Sequence, residues 1–312
     1  MSVRATAVLL ATAVFLLALA QQDPPTFRVK VDAVRIDVRV ERSGRPVTGL
    51  TASNFDVRDS GVSQVIEALA LEDVPLHVLL VLDTSESVRG AELAELQTAA
   101  RAAISSLRAD DVATVLTFSE ELRLVGDLTT ELQRVQVALT RETAYGLTSV
   151  HDALLHALVL RHADTRRALI IVCSDGWDTA SWLRADLLRD DARRSDAVVY
   201  AVVPRPRREG AWLTEARRYE IEQRLRHWFD VEPRLFPNAL LSLVTEDTGG
   251  ELIYTEPARD LGSVFHGIVA QFKSRYLLTY TPEGVPPDGW HPIEVKLKEA
   301  RANVKARRGY LR

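Results

Sequence analysis

A chain of 312 residues, 46% hydrophobic and 26% charged, is long enough to bury one large core, or a medium and a small one. That apolar share excludes a disordered chain. A formal net charge of −4 gives no global pull towards nucleic acid.

The first twenty residues differ in kind from the rest. Arg4 supplies a positive start, and Ala5 to Leu19 is apolar apart from Thr6 and Thr12. Ala18-Leu19-Ala20 then gives a small-x-small cleavage pattern before the polar Gln21-Gln22-Asp23-Pro24-Pro25. The run falls short of the roughly 18 to 20 residues that span a bilayer. Residues 1–20 therefore read as a cleavable signal peptide rather than an uncleaved anchor. The mature chain is expected to be exported, periplasmic or secreted, with no membrane span after cleavage. No cysteine marks a lipoprotein; the single Cys173 lies in the apolar run Ala168 to Cys173 and reads as a small buried hydrophobe.

Residues 26–74 form a β-rich segment. Val29 and Val31, then Val34, Ile36, Val38 and Val40, alternate with polar residues at period two, the mark of a strand buried on one face. The parity slips at Ala33-Val34, which suits a β-bulge. Ser43-Gly44-Arg45-Pro46 signals a turn, Phe55 to Gly61 a strand and turn, and Val65 to Leu71 a further strand.

From 75 to 275 strands alternate with helices, as in a doubly wound, mostly parallel α/β sheet. Leu76 to Leu82 is a continuous apolar run, expected of a strand buried on both faces. Glu92 to Leu107 keeps Leu93, Leu96, Ala99, Ala100, Ala103 and Ile104 on one helical face. Val112 to Phe118, Ala168 to Cys173, Ala197 to Val203 and Leu252 to Tyr254 read as strands, with Leu122 to Val125 a short edge strand. Helices are expected over Glu131 to Leu139, Val150 to Leu160, Leu183 to Arg194, Ala239 to Thr248 and Leu261 to Phe272. Residues 204–237 interrupt this rhythm as an Arg-rich insertion, helical from Thr214 to His227. Its glutamates offset much of the charge, so it reads as an exposed amphipathic helix rather than a nucleic-acid surface.

Residues 276–312 return to β character, with strands at Tyr276 to Thr281, around Ile293 to Leu297, and near Tyr310. The basic residues from Lys296 onwards read as a solvated strand face. The two β-rich flanks, 26–74 and 276–312, are expected to pair into one small sandwich from which the α/β unit projects.

Three separated segments carry the chemistry. Asp83-Thr84-Ser85-Glu86-Ser87 follows the first buried strand, Gly146-Leu147-Thr148 precedes a helix, and Ser174-Asp175-Gly176 follows the strand ending at Cys173. Loops at the carboxyl ends of parallel strands share one crevice. Two carboxylates, Asp83 and Asp175, with three hydroxyls, Ser85, Ser87 and Thr148, suit one hard cation with oxygen ligands. Mg²⁺ is the first choice, with Mn²⁺ or Ca²⁺ as alternatives. A cation held by so little negative charge keeps an open position for an anionic oxygen. The competing reading leaves Asp83 and the serines merely capping the following helix.

The pattern Asp-x-Ser-x-Ser, then Thr, then Asp-Gly resembles the metal-ion-dependent adhesion site of von Willebrand factor type A domains, and the order of elements across about residues 75 to 275 fits that Rossmann-like fold. The whole chain also resembles a bacterial family of exported proteins with such a domain between short β segments. The matching stretches are Gly44 to Leu50, Asn54-Phe55 and Arg307-Arg308-Gly309-Tyr310. The resemblance implies direct metal binding by Ser85, Ser87 and Thr148, and binding mainly through water by Asp83 and Asp175. Glu86 and Leu147 stand where small residues are usual. They reshape the rim but spare the ligands.

No nucleophile elbow, phosphate loop or Cys/His zinc spacing is present in the sequence, so no catalytic residue is expected. His151, beside the proposed site on a helix with Asp152, reads as a local structural residue, and Asp178 and Glu86 as solvated rim residues. The expected function is protein binding through a divalent cation that captures an exposed Asp or Glu of a partner. The alternative is a structural module in which the metal only stiffens loops and the sandwich or the inserted helix mediates assembly.

Overall fold

The computed structural model describes residues 33–71, 74–129, 131–161, 166–204, 238–255, 260–298 and 301–312. Residues 1–20, read above as a signal peptide, the alternation at Val29 and Val31, and the insertion beyond Pro204 lie outside the described residues.

Strand β1 spans Val34–Arg42 and turns back into β2, Arg45–Pro46. The two linking residues, Ser43 and Gly44, both hold positive φ (51° and 75°), the conformation that a two-residue hairpin requires. The same device, Ser60 and Gly61 at φ 51° and 83°, joins β3, Phe55–Asp59, to β4, Val62–Gln64. Strand β5 is Ala68–Ala70. The single strand expected from Val65 to Leu71 is thus divided. The hairpin register Asp59↔Val62 consumes residues 62–64, Val65 is exposed, and β5 then pairs in a different sheet.

The α/β layer follows. Strand β6 is Leu76–Asp83, helix α1 Ala91–Ser105, β7 Val112–Phe118 and β8 Leu122–Thr129. Helix α2 is Leu132–Leu139, α3 Val150–Leu160, β9 Arg167–Cys173 and α4 Ala185–Arg194. Strand β10 is Val198–Val203, α5 Ala239–Thr248, β11 Leu252–Tyr254 and α6 Leu261–Lys273. The chain ends with β12 Tyr276–Tyr280, β13 Trp290–Leu297, β14 Asn303–Lys305 and β15 Gly309–Leu311.

The central sheet has the order β11-β10-β9-β6-β7-β8. All its pairs are parallel except the edge pair β7/β8. Alternate residues of β6 enter two cores: Leu76, Val78, Leu80 and Leu82 meet α1, α2 and α6, while Leu79 and Val81 meet α3, α4 and α5. A strand covered on both faces needs apolar residues at every position, since each buried Leu or Val contributes ~2 kcal/mol. His77 is the polar exception, 2.9 Å from Thr114 Oγ1 through its Nε2.

Two antiparallel sheets, β14-β1-β12-β5 with β2 on β1, and β15-β13-β3-β4, close on a third core that includes Ile36, Val38, Phe55, Val57, Tyr276 and Leu278. Asp59 is buried in that core. It accepts from Tyr280 Oη (2.9 Å) and Tyr310 Oη (2.8 Å) and lies 3.2 Å from His291 Nδ1. Burial and the adjoining Asp59 hold both tyrosines in the neutral, donating form.

Ala33–Arg312 form one compact unit, joined internally by buried arginines. Arg167, at the start of β9, donates through Nε to Asp37 Oδ1 of β1 at 2.8 Å, and its guanidinium lies 4.6 Å over the ring of Phe272. Arg275 donates to Gly249 O (2.8 Å) and to Tyr200 Oη (2.5 Å). Arg307 donates to the carbonyls of Gly309 (2.7 Å), Ser195 (2.8 Å) and Arg193 (2.7 Å). The solvated face expected of the basic tail therefore excludes Arg307. Burial lowers its pKa to about 10, which still leaves it charged at neutral pH.

Asp111 ties three elements. It accepts from Leu76 N at the start of β6 and from Arg108 N, both at 2.8 Å, and pairs with Lys273 Nζ of α6 at 3.0 Å. Burial pushes its carboxyl up, but the two amides and Lys273 outweigh that and hold it below the usual range.

Two predictions arise from these contacts. Asp37→Ala leaves a buried guanidinium unpaired and should lower stability in urea unfolding by about 3–5 kcal/mol; a loss under ~1 kcal/mol would contradict the weld. For Asp111, the folded pKa lies below the unfolded value of about 4. Its contribution is therefore present at neutral pH and lost as pH falls through the folded pKa. Asp111→Asn should lower stability at pH 7 by about 2 kcal/mol, and should flatten the decline in stability below about pH 4 in pH-dependent unfolding.

Candidate metal centre

Strand register levels the loops. Leu82 of β6 stands opposite Cys173 of β9, and Asp83 opposite Phe118 of β7, so the three parallel strands end at one height. Asp83 is the last residue of β6, and Asp175 lies two residues past the end of β9. The loop after β6 is then stitched to its neighbours. Thr84 N donates to Phe118 O (2.7 Å), Tyr145 N to Thr84 O (2.9 Å), Glu86 N to Gly146 O (3.1 Å), and Ser149 N to Ser119 O (3.0 Å). Gly146 has φ 71°, a left-handed conformation that favours glycine over residues with a Cβ.

Asp83 is buried, with Oδ1 accepting from Ser85 N (2.9 Å) and Oδ2 from Ser174 Oγ (2.7 Å). The hydroxyls of Ser85 and Ser87 are 3.1 Å apart. Thr148 is buried; its N donates to Thr179 Oγ1 (3.0 Å), and its O accepts from Thr179 N (2.8 Å) and Ala180 N (2.9 Å). Those contacts bind it to the loop that begins at Asp175. Asp175 accepts from Trp177 N at 3.1 Å. Ser174, which sequence reasoning passed over as a functional residue, fixes Asp83 and also accepts from Gly176 N (3.1 Å).

Burial raises the carboxyl pKa of both Asp83 and Asp175, and the charge of Asp175 raises that of Asp83 further. Among the described residues, no ion pair of either carboxylate with a basic side chain is found. A buried acid, Asp83, and a half-buried one, Asp175, without a counter-charge among the described residues leave a deficit that a cation would fill. Among the described residues, no three His, Cys, Asp or Glu form a metal-holding group, so the candidate donor set combines two carboxylates with hydroxyls. That chemistry fits a hard divalent ion. The capping alternative fails on geometry. Helix α1 starts after Gly90 with no side-chain cap, and the short helical turn Glu86–Val88 has none either.

At the rim, Glu86 is exposed and paired with Arg89, and Leu147 is exposed. Asp178 departs from the solvated reading. It is largely buried, 3.7 Å from His151 Nδ1, and accepts from Ser181 Oγ (2.5 Å). Asp152 accepts from Trp182 N (3.0 Å) and Leu183 N (2.9 Å), a structural role the sequence did not signal.

Residues 78–177 match the sequence model of the von Willebrand factor type A domain, and this chain carries a domain of that family. The chain is 26% identical over 138 residues to inter-alpha-trypsin inhibitor heavy chain H2 of Mus musculus, and 25% identical to that of Homo sapiens. Each match covers 40% of this chain and only 15% of the relative. Among solved structures, it is similar to a von Willebrand factor type A protein from Catenulispora acidiphila, at 13% identity and a TM-score of 0.47, over 91% of this chain and 75% of that one.

Asp152→Ala should release the amides of Trp182 and Leu183. We expect their hydrogen exchange to accelerate roughly 5- to 30-fold, the equivalent of about 1–2 kcal/mol of local stability. Unchanged protection at those two amides would refute the clamp.

Proposed function

We propose that this chain is an exported, metal-ion-dependent protein-binding module rather than an enzyme. Asp83, Ser85, Ser87, Thr148 and Asp175 would hold the cation, Mg²⁺ in the first instance. When bound, a divalent cation supplies an electrophilic position for an anionic oxygen, here the carboxylate of an Asp or Glu on the partner. The observation carrying this reading is the buried carboxylate of Asp83 with the half-buried Asp175 close enough to raise its pKa, without a basic partner for either among the described residues, and with the hydroxyls of Ser85 and Ser87 beside Asp83. The chain's own groups orient the donors: Ser174 and the Ser85 amide fix Asp83, and the Thr148 backbone is locked to residues 179 and 180. The match to a von Willebrand factor type A domain supports an interaction role. Export rests on the pattern of the first twenty residues. Among the described residues, no helix is long and apolar enough to cross a membrane.

Calorimetric titration of the wild-type chain with Mg²⁺ and Mn²⁺, beside Asp83→Ala, tests the proposal. Saturable binding in the wild type and none in the variant is expected, and the folded state should survive chelation because three apolar cores do not depend on the site. Equal heats in both proteins would remove the socket from consideration. A partner bound as tightly by Asp83→Ala as by the wild type would favour the scaffolding alternative.

A further inference from the structure

Beside the candidate site stand two tryptophans that the core does not use. Trp177, directly after Asp175-Gly176, is 52% exposed, and Trp182 is 95% exposed. An indole of ~200 Å² left in water is unusual, because tryptophan is highly buried on average. Leu147, immediately before Thr148, is 55% exposed.

The loop that carries the rings is built without them. Its backbone is held by Thr148 O, which accepts from residues 179 and 180, and by the carboxylate of Asp152, which accepts from residues 182 and 183. Ser181 Oγ closes it internally on Asp178. Trp182 is therefore presented by a loop fastened to the first turn of α3, which begins two residues after Thr148. A backbone fixed in advance leaves only the side-chain torsions to be ordered on binding, and tryptophan is among the residues most enriched in interface hot spots.

The nearby charges decide what would lie on these rings. Asp152 and Asp178 are occupied within the loop, and Arg184 pairs with Asp186 at 2.7 Å. A basic side chain could stack on an indole, but it would face the cation of the neighbouring socket. A large apolar side chain meets no such repulsion.

We infer that Trp177, Trp182 and Leu147 form an apolar clamp beside the socket, which selects a partner segment whose acidic residue has a large apolar neighbour such as Leu or Phe. The inference rests on the carboxylate-capturing reading above. It adds sequence preference to a site that would otherwise accept any accessible acidic residue.

The test uses the full chain in Mg²⁺ and immobilised peptides with one central Asp flanked by Ala, Leu, Phe or Lys, with Asp→Asn versions as controls. Leu- and Phe-flanked peptides should bind roughly tenfold or more tightly than the Ala-flanked peptide, the scale of a hot-spot contact. Trp182→Ala and Trp177→Ala should narrow that gap while leaving Ala-flanked binding and the Mg²⁺ titration unchanged. Both positions are exposed, so folding should be unaffected. Equal affinity for all flanks, or a gap that persists in the double variant, would overturn the clamp alone. Binding indifferent to chelator, to Asp83→Ala and to Asp→Asn would instead overturn the carboxylate-capturing reading. Absence of binding to every peptide would overturn both.

Discussion

The parallel register of β6 between β7 and β9 is the constraint on which the site depends. A slip of one residue along β6 would turn Asp83 to the opposite face of the sheet. It would also carry Asp83 away from Ser174, whose hydroxyl donates to it. What fixes the register is apolar burial on both faces. Every residue from Leu76 to Asp83 is buried, and alternate ones enter two different cores. The polar site is thus held in place by side chains that have no part in its chemistry.

The site shows the opposite economy. Its acids have no basic partner among the described residues, while elsewhere the fold sets buried or half-buried carboxylates against bases: Asp37 with Arg167, Asp111 with Lys273, Asp247 with Arg189. A chain able to pair those charges, yet leaving the buried Asp83 beside the half-buried Asp175, concentrates its electrostatic deficit at the ends of the central strands. Such deficits gather at functional sites.

Much of this was legible in the sequence, for physical reasons. Apolar runs such as Leu76 to Leu82, interrupted only by His77, suit strands covered on both faces, and the helical spacing of Leu96, Ala99, Ala100 and Ala103 suits a face turned to a core. The loop residues were legible because Asp-x-Ser-x-Ser and Asp-Gly follow such strands directly. Long-range polar contacts were not. Arg307 looked like part of a solvated basic strand, yet it reaches carbonyls at Arg193 and Ser195, which no local pattern reveals. Asp178 looked exposed because its partners, Ser181 and His151, are brought to it by the folding of the loop. The division of the strand expected from Val65 to Leu71 was hidden because neighbouring residues serve different sheets.

Pairing between the two ends of the chain also dictates an order of assembly. Strand β1 finds its partners in β12 and β14, and the amide of Leu50 is satisfied by the hydroxyl of Tyr276, 226 residues later. The α/β layer closes through shorter separations and can condense while β1, beyond its short hairpin with β2, still lacks β12 and β14. During synthesis β1 therefore waits, as an open edge, until nearly the whole protein has emerged. In that interval it is the segment most exposed to mispairing with another chain, and the charges of Arg35, Asp37, Arg39 and Glu41 on alternate positions guard it.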